Sequence, residues 1–134
     1  MTTPRPTELS VLGTPLKPCG TAPLTGFARD GFCSVAGQDA GVHGVCAEMD
    51  ERFLQFTLAQ GNDLITPRPE WRFPGLKPGD RWCVCAGRWQ EAYDAGVAPK
   101  VVLAATSEKV LDGLFLDDLL KHAVDAPRGT PSQR

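Results

Sequence analysis

Nowhere does the sequence run apolar for long enough to cross a bilayer, and residues 1–9 carry Arg5 without the apolar stretch of a secretory signal. Neither a membrane partner nor export is therefore expected, and the expected location is cytoplasmic. There is no excess of basic charge either. A net charge of -2 supplies no field to draw in a phosphate backbone, which argues against nucleic acid. The tight knuckles of structural zinc sites, pairs of cysteines a few residues apart, are missing; one C-x-C occurs, at Cys83-Val84-Cys85. Gly75-Leu76-Lys77-Pro78-Gly79-Asp80 lacks the GK[ST] ending of a phosphate loop and reads as a turn.

What is present fits one folded domain. A chain of 134 residues is about one domain long, and 42% hydrophobic against 22% charged lies far from the balance that keeps chains disordered. Proline and polar residues at both ends place the domain at residues 9–124, between tails at 1–8 and 125–134. Leu9–Leu12 reads as a short strand. From Gly13 to Val42 no period of either kind persists, and a structureless stretch of that length needs something to hold it. Leu16, Leu24, Phe27, Phe32 and Val35 are its apolar pins, and Cys19 and Cys33 are placed to tether it to the sheet.

Val42–Met49 is apolar enough for a strand. Asp50 then sits as a helix N-cap, with Met49, Phe53 and Phe56 on one stripe, Leu54 and Leu58 widening it, and Gly61 as the stop. Four prolines between Thr66 and Asp80 exclude helix or central strand there. Arg81–Ala86 is apolar on both faces and reads as a central strand. A helix from about Arg88 to Ala95, a third strand at Val101–Ala105 and a last helix at Leu116–Val124 complete the chain. The expected fold is α/β, with mixed α+β as the alternative: three or four strands, at least one parallel βαβ crossover around the second helix, and long ordered loops.

Five cysteines is an odd number, and a reducing cytosol disfavours a full disulfide framework. Buried structural thiols are the first expectation, above all for Cys46, Cys83 and Cys85. The competing one is a metal site of Cys19, Cys33, His43 and Cys46 holding zinc or iron; a reactive thiol or a disulfide is the third. No cofactor is predicted outright. For catalysis, Asp30 and His43 are candidates to orient and deprotonate a thiol such as Cys46 or Cys33. On a regular strand His43 and Cys46 point to opposite faces, so that pairing needs a bulge or a bent strand start. Trp71 and Phe73, one residue apart in an extended segment, are expected on one side as part of a cleft wall. Arg88, just past a strand's carboxyl end, joins them as a ligand-binding candidate. His122 is expected to face solvent.

Several runs taken together are specific: Val11-Leu12-Gly13, Thr25-Gly26-Phe27, Arg29-Asp30-Gly31 with Cys33, His43-Gly44-Val45-Cys46-Ala47, Gly61-Asn62-Asp63-Leu64, Phe73-Pro74-Gly75-Leu76 and Trp82-Cys83-Val84-Cys85-Ala86. Over residues 9–124 they resemble the bacterial family called domain of unknown function 2237. That family has no assigned activity, so the resemblance implies a shared fold and carries over no catalytic residue. Two functions of different class follow from the residues. One is a binding domain with mainly structural cysteines and a small molecule or protein as partner. The other is a small enzyme using a reactive thiol or bound metal in a loop-lined cleft.

Overall fold

Asp50 starts the first helix as its sequence requires. Its carboxylate accepts the N–H of Phe53 at 2.7 Å, and the helix α1 runs over Glu51–Ala59 until Gly61, with φ +94°, turns the chain away. The computed structural model describes residues 8–126 apart from 22, 27, 28, 36 and 38. Phe27 and the outer parts of both expected tails lie outside the described residues. Three strands, β1 (Val45–Glu48), β2 (Arg81–Val84) and β3 (Lys100–Val101), form a sheet in the order β2-β1-β3. Two further helices are α2 (Ala86–Asp94) and α3 (Leu116–Lys121), and 3-10 turns follow β3 at Leu103–Ala105 and Glu108–Asp112.

Both pairings in the sheet are antiparallel, Val45 opposite Val84 and Ala47 opposite Val101. The parallel crossover expected around α2 is therefore not formed. β2 and β3 run the same way, but β1 lies between them and takes up the hydrogen bonds that a parallel pair would have shared. β1, not β2, is the central strand. Leu9–Leu12 does not become a strand: Leu9 and Ser10 make isolated bridges to Pro15 and Ser107. The strand expected at Val101–Ala105 is cut short: pairing covers Lys100 and Val101, and the chain then closes into the 3-10 turn at Leu103–Ala105.

The alternation of side chains along β1 and β2 divides the interior into two layers. Val45, Ala47, Trp82 and Val84 join a large core with Phe53 and Leu54 of α1, Trp89 and Ala92 of α2, and Leu119 of α3. Cys46 and Cys83, directly opposite each other, belong to a smaller cluster with Cys19, Cys33, Val102 and Ala105. That second layer is the underside of the long loop. Cys19 is bonded to Cys46 and Cys33 to Cys83, so the loop is stapled to the sheet at two adjacent positions. The tethering role expected of Cys19 and Cys33 is realised through disulfides, the pairing the sequence disfavoured. The apolar pins contribute less. Leu16 is buried and Phe32 and Val35 are half-buried, whereas Leu24 is exposed.

Hydrogen bonds from far along the chain complete the anchoring. Thr25 Oγ1 accepts the N–H of Cys83 at 2.8 Å, and Thr106 Oγ1 accepts that of Cys46 at 3.1 Å. Glu8 accepts from the N–H of Val35 at 2.9 Å and the hydroxyl of Ser107 at 2.6 Å. Asp125 accepts from the N–H groups of Leu103 and Ala104 at 2.7 and 3.1 Å. Both acids were assigned to tails on composition, and both are tied into the domain. His122 is likewise not solvent-facing: its ring meets Trp89 and Tyr93 edge-on, each at 5.5 Å between centroids.

Candidate functional site

The long loop ends on a sharply shaped segment, and that segment builds the site. Asp39 is buried, and its carboxylate does two things at once. Oδ2 accepts the backbone N–H of His43 at 2.7 Å, while Oδ1 contacts His43 Nδ1 at 2.6 Å. Between them Val42 adopts φ +52°, a left-handed backbone rarely taken by a β-branched residue. Its carbonyl accepts from Gly44 at 2.7 Å and from Ala86, the first residue of α2, at 3.0 Å. Loop and helix are thus locked together at the point where β2 ends.

Cys85 is the N-cap residue of α2, and its Sγ lies 3.1 Å from His43 Nε2. It is half-buried and is the free cysteine of the chain. His43 is accordingly held from both sides, by a carboxylate at Nδ1 and a sulfur at Nε2. Its pKa is pushed up to about 9, first by the hydrogen bond to Cys85, with Asp39 adding to the shift and burial opposing it. Gly41 closes over the pair: a Cβ there would stand 3.0 Å from His43 Cε1 and 3.2 Å from Cys85 Sγ. Among the described residues no side chain caps α2, so the first-turn N–H groups of Gly87 and Arg88 lack partners inside the helix that Cys85 begins.

Two recesses meet at this cluster. Cys85, Gly41, Gly87, Arg88 and Glu91 line a shallow cleft of about 470 Å³. His43 lines a second cavity of about 420 Å³ with Arg29, Arg68, Trp71, Phe73 and Trp82. Phe73 is buried against Trp82 at 5.1 Å between ring centroids, while Trp71 is 65% exposed. Arg29 stands over Trp82 and Arg68 over Trp71 at 5.2 and 5.9 Å from the ring centres.

The sequence candidates separate accordingly. Trp71 and Phe73 both line that cavity, placed there by a 3-10 turn at Pro69–Trp71 and a left-handed Arg72, not by the extended segment expected. Arg88 faces the cleft, with Nη1 3.2 Å from both Gln60 O and Glu91 Oε1. Asp30 Oδ1 caps a local turn by accepting from Phe32 N–H at 3.0 Å; the carboxylate on His43 is that of Asp39. Cys46 and Cys33 are held in disulfides, so neither is the free nucleophile. The proposed metal set also divides: the Sγ atoms of Cys19, Cys33 and Cys46 lie within 4.8 Å of one another, whereas the His43 ring is engaged by Asp39 and Cys85. Reasoning from sequence missed Asp39 and Cys85. The spacing of Asp39 from His43 was a usable signal, since a tight turn lets an acid four positions back reach the ring.

Fold and site together define a small mixed α/β domain, with a disulfide-stapled loop over a three-stranded antiparallel sheet and a Cys–His–Asp cluster at its edge. A family model described as an uncharacterised protein conserved in bacteria (DUF2237) matches residues 9–123, and the chain belongs to that family. No curated protein matches it. Among the described residues no helix is long and apolar enough to cross a membrane.

Proposed function

We propose that the protein is a small thiol enzyme in which Cys85 is the nucleophile, His43 carries the proton and Asp39 orients His43. The observation behind this reading is the placement of the His43 ring, 2.6 Å from a buried carboxylate and 3.1 Å from the free cysteine. A nucleophile, a base and an orienting acid within hydrogen-bond reach of one another make up the arrangement that activates thiols. The other four cysteines are structural, which leaves Cys85 for chemistry.

The reaction class this supports is acyl transfer. The proton shared by Cys85 and His43 rests on His43 Nε2, because the ring's pKa is raised to about 9, and the Cys85 sulfur adds to a carbonyl carbon. The displaced electron pair moves to the carbonyl oxygen, beside the first-turn N–H groups of Gly87 and Arg88, which have no acceptor within α2. Collapse breaks the bond to the leaving group, which takes the proton from Nε2. Water then attacks the thioester, His43 accepts its proton, and the sulfur departs. The reacting carbonyl would sit in the cleft of about 470 Å³ that Cys85, Gly87 and Arg88 line, while the neighbouring cavity of about 420 Å³, which His43 lines with three aromatic rings, Arg29, Arg68 and Asp63, suits a flat apolar group of the same small substrate.

Brief iodoacetamide treatment of the oxidised native protein, followed by peptide mapping, tests the reading. Cys85 should react at least tenfold faster than the same thiol in unfolded protein, and His43→Ala should remove that advantage. An activated ester such as p-nitrophenyl acetate should give a burst and an acyl group on Cys85. A native Cys85 that reacts no faster than the unfolded thiol, and gives no burst, would leave the second reading. That reading is a binding domain whose aromatic and arginine-lined cavity holds a ligand without chemistry.

A further inference from the structure

We propose that Cys19, Cys33, Cys46 and Cys83 have a second use: with both disulfides reduced, their four thiolates bind one zinc ion. The observation is that the two disulfides are not independent staples. The sulfurs of Cys19, Cys33 and Cys46 lie within 4.8 Å of one another although Cys33 is bonded to neither of the others. Cys83 Sγ is bonded to that of Cys33. All four sulfurs therefore form one group, gathered from a loop and two strands.

The dimensions suit a tetrahedral ion. Zinc–sulfur bonds of about 2.3 Å set the sulfurs roughly 3.8 Å apart. Contacts among Cys19, Cys33 and Cys46, now at 4.8 Å or less, need to close by about 1 Å at most, while Cys83 Sγ, outside that group of three, has to approach Cys19 and Cys46 as its bond to Cys33 opens. The bonded pairs, Cys19 with Cys46 and Cys33 with Cys83, start at the ordinary disulfide separation of about 2 Å and need to open by somewhat less than 2 Å once reduced, a movement that rotation about the Cα–Cβ bonds supplies. Cys46 and Cys83 hold two ligands on a rigid platform, because they face each other across paired strands. Cys19 and Cys33 come from the loop, which can adjust. The surroundings are closed: all four residues are buried, with Val102 and Ala105 beside them. Four protein sulfurs and no solvent-facing position make a structural site, not a catalytic one. Cys85 and His43 stand outside it.

The two states differ by a balanced exchange. Each disulfide takes two electrons and two protons from a dithiol reductant, which leaves as its own disulfide. The four thiols then release four protons as they bind the ion. In a reducing compartment the loop would be anchored by zinc, and in an oxidising one by sulfur–sulfur bonds, at the same four positions. The gap left by the loop's sparse apolar packing is filled in either case.

The full chain, unfolded and reduced without oxygen, should be refolded with and without one equivalent of zinc, in the presence of a phosphine reductant. With zinc we expect recovery of the far-ultraviolet dichroism of the oxidised protein and one ion per chain by elemental analysis. Cobalt in place of zinc should give the intense visible bands of tetrahedral thiolate coordination. Zinc should shield four thiols from alkylation and leave Cys85 modifiable, and Cys85→Ser should keep the ion while Cys33→Ser loses it. Should Cys33→Ser fail to fold, the count of shielded thiols in the wild-type chain decides alone. Refolding without bound zinc, a chain that stays unfolded at excess zinc, shielding of fewer than four thiols, or loss of the ion in Cys85→Ser would each overturn the proposal.

Discussion

Removing the Cys33–Cys83 bond by the double substitution Cys33→Ala and Cys83→Ala should be the most damaging change in the molecule that leaves its apolar core intact. The bond closes a loop between positions 50 apart. Chain entropy for a loop of that length corresponds to about 4 kcal/mol at 25 °C. The Cys19–Cys46 bond, with a separation of 27, corresponds to about 3.5 kcal/mol. The two loops overlap, since Cys33 lies between Cys19 and Cys46, so the contributions do not simply add. Both partners must be replaced, because a single free thiol at this position would sit within exchange distance of the neighbouring bond. A loss of about 4 kcal/mol is a large share of a typical domain's stability and should lower Tm by roughly 15 °C. Urea titration of oxidised, chelator-treated protein measures it directly. A loss below about 1 kcal/mol, or wild-type melting curves that coincide with and without reductant, would refute the claim that these bonds hold the loop down.

Three further outcomes follow from the site and its supports. Gly41→Ala should slow Cys85 alkylation several-fold with little change in Tm, because the added Cβ would crowd Sγ at 3.2 Å; an unchanged rate would remove Gly41 from the site. The raised pKa of His43, about 9 against 6.5 unfolded, makes its contribution to stability complete below about pH 6.5 and lost as pH rises through 9. With its side chain 34% exposed, screening holds that contribution to about 1–2 kcal/mol, so the Tm gap between wild type and His43→Gln should shrink between pH 6.5 and 9.5, and a gap that widens would reverse the argument. Asp125→Ala should cost about 1–2 kcal/mol in urea melts, since it strips two backbone N–H groups of their acceptor, and a neutral result would return that residue to the tail.

Local physics was readable from the residues alone. Asp50 and Gly61 bracket α1 because a cap and a left-handed stop act on their immediate neighbours, and Trp89 and Ala92 turn inward because helical spacing demands it. The alternation in Arg81–Ala86 announced a strand covered on both faces, and one forms over Arg81–Val84, two residues shorter because α2 already begins at Ala86. Its place in the sheet could not be read there, since adjacency depends on which distant strand arrives beside it, and β1 arrived between β2 and β3. The cysteines carry the same lesson. Their number and the bare loop implied a tether, but connectivity is a property of three-dimensional proximity, and Cys46 and Cys83 pair with the loop instead of with each other although they are cross-strand neighbours. His43 was recognisable as a residue that could move a proton. Only the tertiary structure chose its partners, because Asp39 reaches it through a turn strained at Val42, and Cys85 comes from 42 positions away when β2 lies down beside β1 and ends at the helix that caps the site.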